Sequence, residues 1–152
     1  AAVDRGVQQQ MAAGLAAGFP VVDIAVTLVD GKAHSVDSSD MAFATAGGLA
    51  LRDAAEHAGE VLLEPVAEVR ITVTDEYVGA IMNDLAGRRG RMTGSTSLDG
   101  GRTEITAVVP AIELTRYAID LRAISHGSGT FHRTPAGYEP VPERLREGLL
   151  QD

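Results

Sequence analysis

The stretch "DGKAHSVDSS" at residues 30–39 gathers the chain's only lysine, a histidine, two aspartates and three serines, with little apolar surface to bury. His34, Asp37 and Ser38 are the residue types of a hydrolytic triad, in which a carboxylate orients an imidazole that takes the hydroxyl proton. Such chemistry also needs a shaped pocket and an oxyanion hole, and three types crowded into one loop supply neither. The same side chains are donors and acceptors suited to phosphate, sugar and 2′-OH groups, and an imidazole can stack on a base. A merely solvated loop is the third reading.

A second constellation is Arg88, Arg89 and Arg91, in "AGRRGR". Planar guanidinium groups grip phosphates in bidentate fashion, but cations at a helix end also complement its dipole. His126 and His132 are metal-type ligands without a third at useful spacing, and His126 and His57 each suit a helix C-terminus. Asp23, in an apolar run, shares one face with Val21 and Ala25 if that run is a strand. The chain has no cysteine, which excludes disulfides, thiolate metal sites and cysteine nucleophiles.

Charge narrows the partners. The net charge of −8 over 152 residues opposes general affinity for nucleic acid. The balance is uneven, however: residues 1–60 hold eight acids against three bases, and residues 61–140 hold ten against eight. Twelve of the thirteen bases are arginine. No run approaches the ~18 apolar residues of a membrane span, and Asp4 and Arg5 interrupt the start where a signal peptide needs a basic and then an apolar stretch.

The elements that would position these residues follow from periodicity. Val3, Val7, Met11 and Leu15 predict a helix over 2–17 that Gly18 ends. "FPVVDIAVTLVDG" predicts a strand closed by an Asp30-Gly31 turn. A second helix starts near Asp37, Ser38 and Ser39, whose side chains can accept from free N–H groups, and stops at Gly59. Its many Ala and Gly residues let a neighbour pack very close. One strand cannot cover two helices and leaves its own backbone groups unpaired, so its partners are expected from a part of the protein upstream.

From Val61 the pattern changes. "VAEVRITV" alternates as a strand, and a helix follows over about 75–87. Two strands flank the Asp99-Gly100-Gly101 turn, a helix spans about 111–125, and "GTFHRTPAGYEPV" supplies a last strand. The order β-α-β-β-α-β is the split pattern of a ferredoxin-like sandwich. "PERLREGLLQD" adds a short amphipathic helix after Pro142.

With these parts in order, the chain resembles the C-terminal end of translation elongation factor G. The resemblance rests on "GFPVVDIAVTLVDGKAHSVDSSDMAF" (18–43), "VLLEPVAEVRITV" (61–73), "GAIMNDLAGRRG" (79–90) and "RYAIDLRAISHGSGTF" (116–131). It implies an α+β chain: residues 1–59 as part of a fourth domain of ribosomal-protein-S5-like fold, residues 60–141 as a ferredoxin-like fifth domain, and residues 142–152 as a helix packing back on the fourth. It also implies a function. The parent would be a ribosome-binding GTPase that promotes tRNA–mRNA translocation, cytoplasmic and monomeric, with GTP and Mg bound elsewhere in it. No Gly-x-x-x-x-Gly-Lys-Ser/Thr phosphate loop occurs here, so the expectation for this fragment is no enzyme activity and no cofactor.

The resemblance puts His34, Asp37 and Ser38 on a tip loop facing messenger and transfer RNA in the decoding region. It puts Arg88, Arg89, Arg91, Arg116, Arg122, Gly127 and Gly129 on a surface facing the GTPase-associated region and sarcin–ricin loop of the large subunit. Three positions depart from the family. "TRYA" has Arg116 where Phe-Gly-Tyr-Ala has glycine, "GSG" has Ser128 where Gly-Arg-Gly has arginine, and "AGRRG" is one arginine short. These departures favour a paralogue specialised in ribosome recycling or in protection against an antibiotic. A small-molecule-binding regulatory module, which ferredoxin-like folds also serve, is a further alternative.

Overall fold

Alternation in "VAEVRITV" fixes one face of the central strand. In the computed structural model, which describes residues 1–150, β1 (Leu63–Thr74) buries Val69, Ile71 and Val73 completely, while Glu68, Arg70 and Thr72 point to the opposite face. β2 (Arg91–Leu98) and β3 (Arg102–Pro110) form a hairpin around Asp99, Gly100 and Gly101. Both glycines have positive φ, 78° and 68°, a region that side chains disfavour. With β4 (Thr130–Pro140) the sheet runs β2-β3-β1-β4, antiparallel throughout. Ile71 stands opposite Ile105 on one side and Phe131 on the other.

Two helices cover the apolar face. α3 (Val78–Gly87) contributes Ile81 and Leu85, and α4 (Tyr117–Ile124) contributes Tyr117 and Leu121. Full burial of one such side chain contributes roughly 2 kcal/mol, so this cluster carries most of the unit's stability. The helices predicted over 75–87 and 111–125 each begin as a separate 3-10 turn, Asp75–Tyr77 and Ala111–Leu114. The β-α-β-β-α-β order is as expected, and the chain is α+β.

The chain divides into two compact units, Leu63–Leu145 and a second made of Ala1–Leu62 with the residues from Arg146 onward. In the latter, α1 (Ala2–Ala13) packs on α2 (Asp40–Ala58) through glycines. A Cβ on Gly6 would stand 1.8 Å from the Ala44 carbonyl oxygen, and one on Gly47 2.6 Å from that of Val3. The close approach expected of an Ala/Gly-rich helix is therefore real. α1 stops four residues before the expected end, because Gly14 already leaves the helix at φ 89° and its N–H closes on the Gln10 carbonyl. Ser39 caps α2 by accepting from the Ala42 N–H, and Gly59 ends it, as the sequence predicts.

The strand predicted over 19–31 does not form. No strand partner lies beside it among the described residues, and Val22, Ile24, Val26, Leu28 and Val29 are exposed. An extended segment without a neighbour has no ladder to join. The turn falls at residues 35–37, after the Asp30-Gly31 pair, whose Asp30 side chain only accepts from the Gly31 N–H. Asp23 adopts φ 57° and is exposed, so the shared strand face with Val21 and Ala25 is absent. α5 (Glu143–Leu149) forms after Pro142, and its Arg146 donates to the Glu60 carbonyl at 3.0 Å. No helix among the described residues is long and apolar enough to cross a membrane.

Candidate functional site

The polar loop is built by its own serines. The Ser38 hydroxyl accepts from the His34 N–H at 2.7 Å, and Ser39 caps the helix that follows. This closes the loop and turns the His34 and Asp37 side chains outward, where both are exposed; Ser38 is half-buried. Among the described residues no hydrogen bond joins the imidazole to Ser38 or Asp37, and the Ser38 hydroxyl oxygen accepts from the backbone while its proton stays available. The arrangement is a presented set of polar groups rather than a proton relay, and it lacks the geometry a triad requires.

The arginine cluster is not a free patch. Arg88 is held by Asp84 (2.8 and 3.3 Å), Asp120 (2.7 Å) and the Glu113 carbonyl (2.8 Å), with its guanidinium 4.9 Å from the centre of the Tyr117 ring. Arg89 takes both oxygens of Glu64 at 2.5 and 3.0 Å and reaches Glu113 at 3.3 Å. Their side chains are only 16% and 17% exposed. Hydrogen bonds to Asp84, for Arg88, and to Glu64, for Arg89, raise the two guanidinium pKa values further above their ordinary range. A phosphate could take these donors only in place of Asp84, Asp120, Glu64 or Glu113. Arg91 differs: it is exposed and pairs once, with Glu139 at 3.1 Å.

Arg116 and Arg122 stand at the start and in the last turn of α4, exposed and without an ion-pair partner among the described residues. Gly127 has φ 85° and open space around it, whereas a Cβ on Gly129 would meet the Ser125 hydroxyl at 2.8 Å and Leu121 at 2.9 Å. A side chain at position 129 would therefore need the Ser125 and Leu121 side chains to shift. Ser128 Oγ donates to the Ser125 carbonyl at 2.8 Å and lies 3.2 Å from Thr74 Oγ1.

His126 does more than sit at a helix end. It holds φ 49°, uncommon for a residue with a side chain, and its Nδ1 lies 3.0 Å from the Tyr77 hydroxyl with the rings 5.3 Å apart. Desolvation, then the Glu76 charge, raises the Tyr77 pKa. His57 Nδ1 contacts the Asp53 carbonyl at 2.8 Å. Among the described residues no three metal-type side chains converge. The sequence reading missed the Arg88 knot, although Asp84 and Arg88 at i, i+4 were its visible signal; the Tyr77–His126 pair left no such signal.

An antiparallel sheet of order β2-β3-β1-β4 under two helices in one unit, and a helix pair with an exposed polar loop in the other, define a two-unit α+β chain. The chain belongs to the elongation factor G family. The family's domain IV matches residues 1–59 and its C-terminus matches residues 61–149. Proteins named elongation factor G-like from two strains of Mycobacterium tuberculosis, CDC 1551 / Oshkosh and H37Rv, are 57% identical over 141 residues. That alignment covers 93% of this chain and 20% of each relative, so the chain spans about a fifth of their length. A crystal structure of a protein from Thermus thermophilus matches with TM-score 0.89 and 33% identity, over 99% of this chain and 23% of that one.

Proposed function

We propose that this chain is the ribosome-binding C-terminal part of an elongation factor G-like translational GTPase, and that in the longer protein it promotes movement of tRNA and mRNA. The observation that carries this reading is the His34–Ser38 loop, which lies within the domain IV match and is closed by the His34–Ser38 bond so that His34 and Asp37 are exposed. His34, Asp37 and Ser38 then touch messenger and transfer RNA through hydrogen bonds, stacking and exclusion of space, with no covalent step. Residues 1–59 act as the arm, 60–141 as the large-subunit anchor, and 142–152, of which the last two lie outside the described residues, as the segment returning to the arm, in keeping with the Arg146–Glu60 bond. Arg91 and the Gly127 loop supply the anchor's RNA contacts. GTP and Mg belong to another part of the protein, which works as a monomer in the cytoplasm.

The test is a toeprint of messenger RNA on pre-translocation ribosomes with the full-length protein and GTP. Wild type advances the message by one codon, and His34→Ala/Asp37→Ala is markedly slower. Equal rates for the two would reduce the loop to solvated surface. A wild type that leaves the message in place would overturn the translocation reading.

A second reading, ribosome recycling or protection, is favoured by Arg116, which stands exposed where the family resemblance leads one to expect glycine. Splitting of ribosomes with a recycling factor, without movement of the message, would select it.

A further inference from the structure

The Arg88–Arg89 knot has an effect on the surface outside it. It draws in Glu113 and Asp120, the acidic residues of the segment 111–124, and leaves that segment's arginines uncompensated. Ile112, Arg116, Ile119 and Arg122 follow at intervals of four, three and three, all exposed. Ile112 is 67% and Ile119 60% exposed, the highest values among the large apolar side chains of the unit Leu63–Leu145. Beside α4, the exposed positions of α3 are Gly79, Ala80, Asn83, Ala86 and Gly87, small and without charge. A chain of net charge −8 thus carries on this face an apolar ridge whose two arginines have no ion-pair partner among the described residues.

We propose that this face docks a protein segment that presents an apolar ridge flanked by carboxylates. Charge complementarity sets the sign of the flanks: two arginines with no internal partner among the described residues attract acidic groups and repel basic ones. The isoleucines set the class of partner. Single-stranded RNA is held by aromatic faces or guanidinium planes on which bases stack, and a branched aliphatic side chain offers no such plane. Apolar groups with arginine beside them are instead what fills the core and edge of a protein–protein interface. The small residues of α3 let the backbone of the docked segment lie close. This docking does not depend on the tip loop, since the docked segment meets a different unit of the chain.

The experiment is a heteronuclear NMR titration of the 152-residue chain with three probes. They are a short helical peptide with leucines along one face and glutamates on both flanks, a scrambled peptide of the same composition, and an RNA hairpin. The first peptide shifts the amides of Ile112, Arg116, Ile119 and Arg122, and its affinity falls at least about tenfold for Arg116→Glu/Arg122→Glu and for Ile119→Ser. Unchanged resonances of the buried Ile71 and Leu85 establish that each variant is folded. Equal shifts by the scrambled peptide, tighter binding by the hairpin at these residues, or no shift with any probe would each overturn the proposal. None of these outcomes bears on the toeprint, so the two readings fail separately.

Discussion

Arg88 and Asp120, thirty-two positions apart, meet at 2.7 Å across the helical layer, and this contact joins α3 to α4. The same guanidinium bonds Asp84 in α3, which Arg88 follows directly, and the Glu113 carbonyl ahead of the next helix. Removing it leaves Asp84 and Asp120, 23% and 39% exposed, without a counter-charge, a loss that solvent screening holds below the about 3–5 kcal/mol of a fully buried pair. Arg88→Ala is therefore expected to lower the urea midpoint. Asp120→Asn in the Arg88→Ala background should cost much less than Asp120→Asn alone, which a double-mutant cycle measures directly.

Tyr117 is wholly buried, packs edge-on against Phe131 at 5.0 Å, and its hydroxyl has no partner among the described residues. An unpaired buried hydroxyl costs about 1–3 kcal/mol. Tyr117→Phe keeps the ring, the Phe131 contact and the face toward Arg88, so it should raise stability by about 1 kcal/mol in thermal denaturation. Burial, with the Asp84 charge second, also pushes the Tyr117 pKa up from 10. A raised folded-state pKa gives stability that is full below the unfolded value and is lost as pH rises above it. Wild type should thus weaken as pH climbs past about 10 through this residue, and Tyr117→Phe should remove that part of the alkaline loss.

Gly6 lies so close to Ala44 that even a methyl group overlaps the carbonyl. Gly6→Ala must force α1 and α2 apart, and overpacking of this kind typically costs about 1–3 kcal/mol. Gly18→Ala, by contrast, meets no atom within 4 Å and is strained only through its φ of 73°. Circular dichroism melts of the two variants should therefore separate packing from backbone strain, with Gly6→Ala the less stable.

The unit Leu63–Leu145 was legible in the sequence because its signals are local and agree. Alternation in β1, the Asp99-Gly100-Gly101 turn and the spacing of Ile81 and Leu85 each point to the element that forms there. The segment 19–31 carries an equally good strand pattern, yet pattern alone makes no ladder, and here the apolar side chains stay exposed. The internal pairing of Arg88 and Arg89 was hidden for a related reason. A run of arginines states a charge but not a direction, and the acids that turn these two inward, Glu64, Glu113 and Asp120, lie 24 to 32 positions away in the chain. Arg91 follows them by only a few residues and, as the start of a strand whose every residue is exposed, remains outside.

Under the proposed ribosome-binding role, this difference between neighbours predicts how association responds to salt. Removing a single arginine–phosphate bond reduces the slope of log affinity against log salt by about one. Arg91→Ala should do so, because its single pair with Glu139 is exposed and readily exchanged for a phosphate. Arg89→Gln should leave the slope unchanged while lowering the melting temperature, since its donors are already occupied by Glu64 and Glu113. Pelleting of the full-length protein with ribosomes across a salt series, beside a melt of each variant, measures both quantities. An unchanged slope for Arg91→Ala would remove Arg91 from the RNA-facing set, and a reduced slope for Arg89→Gln would mean that the Glu64 pair opens when the ribosome is bound.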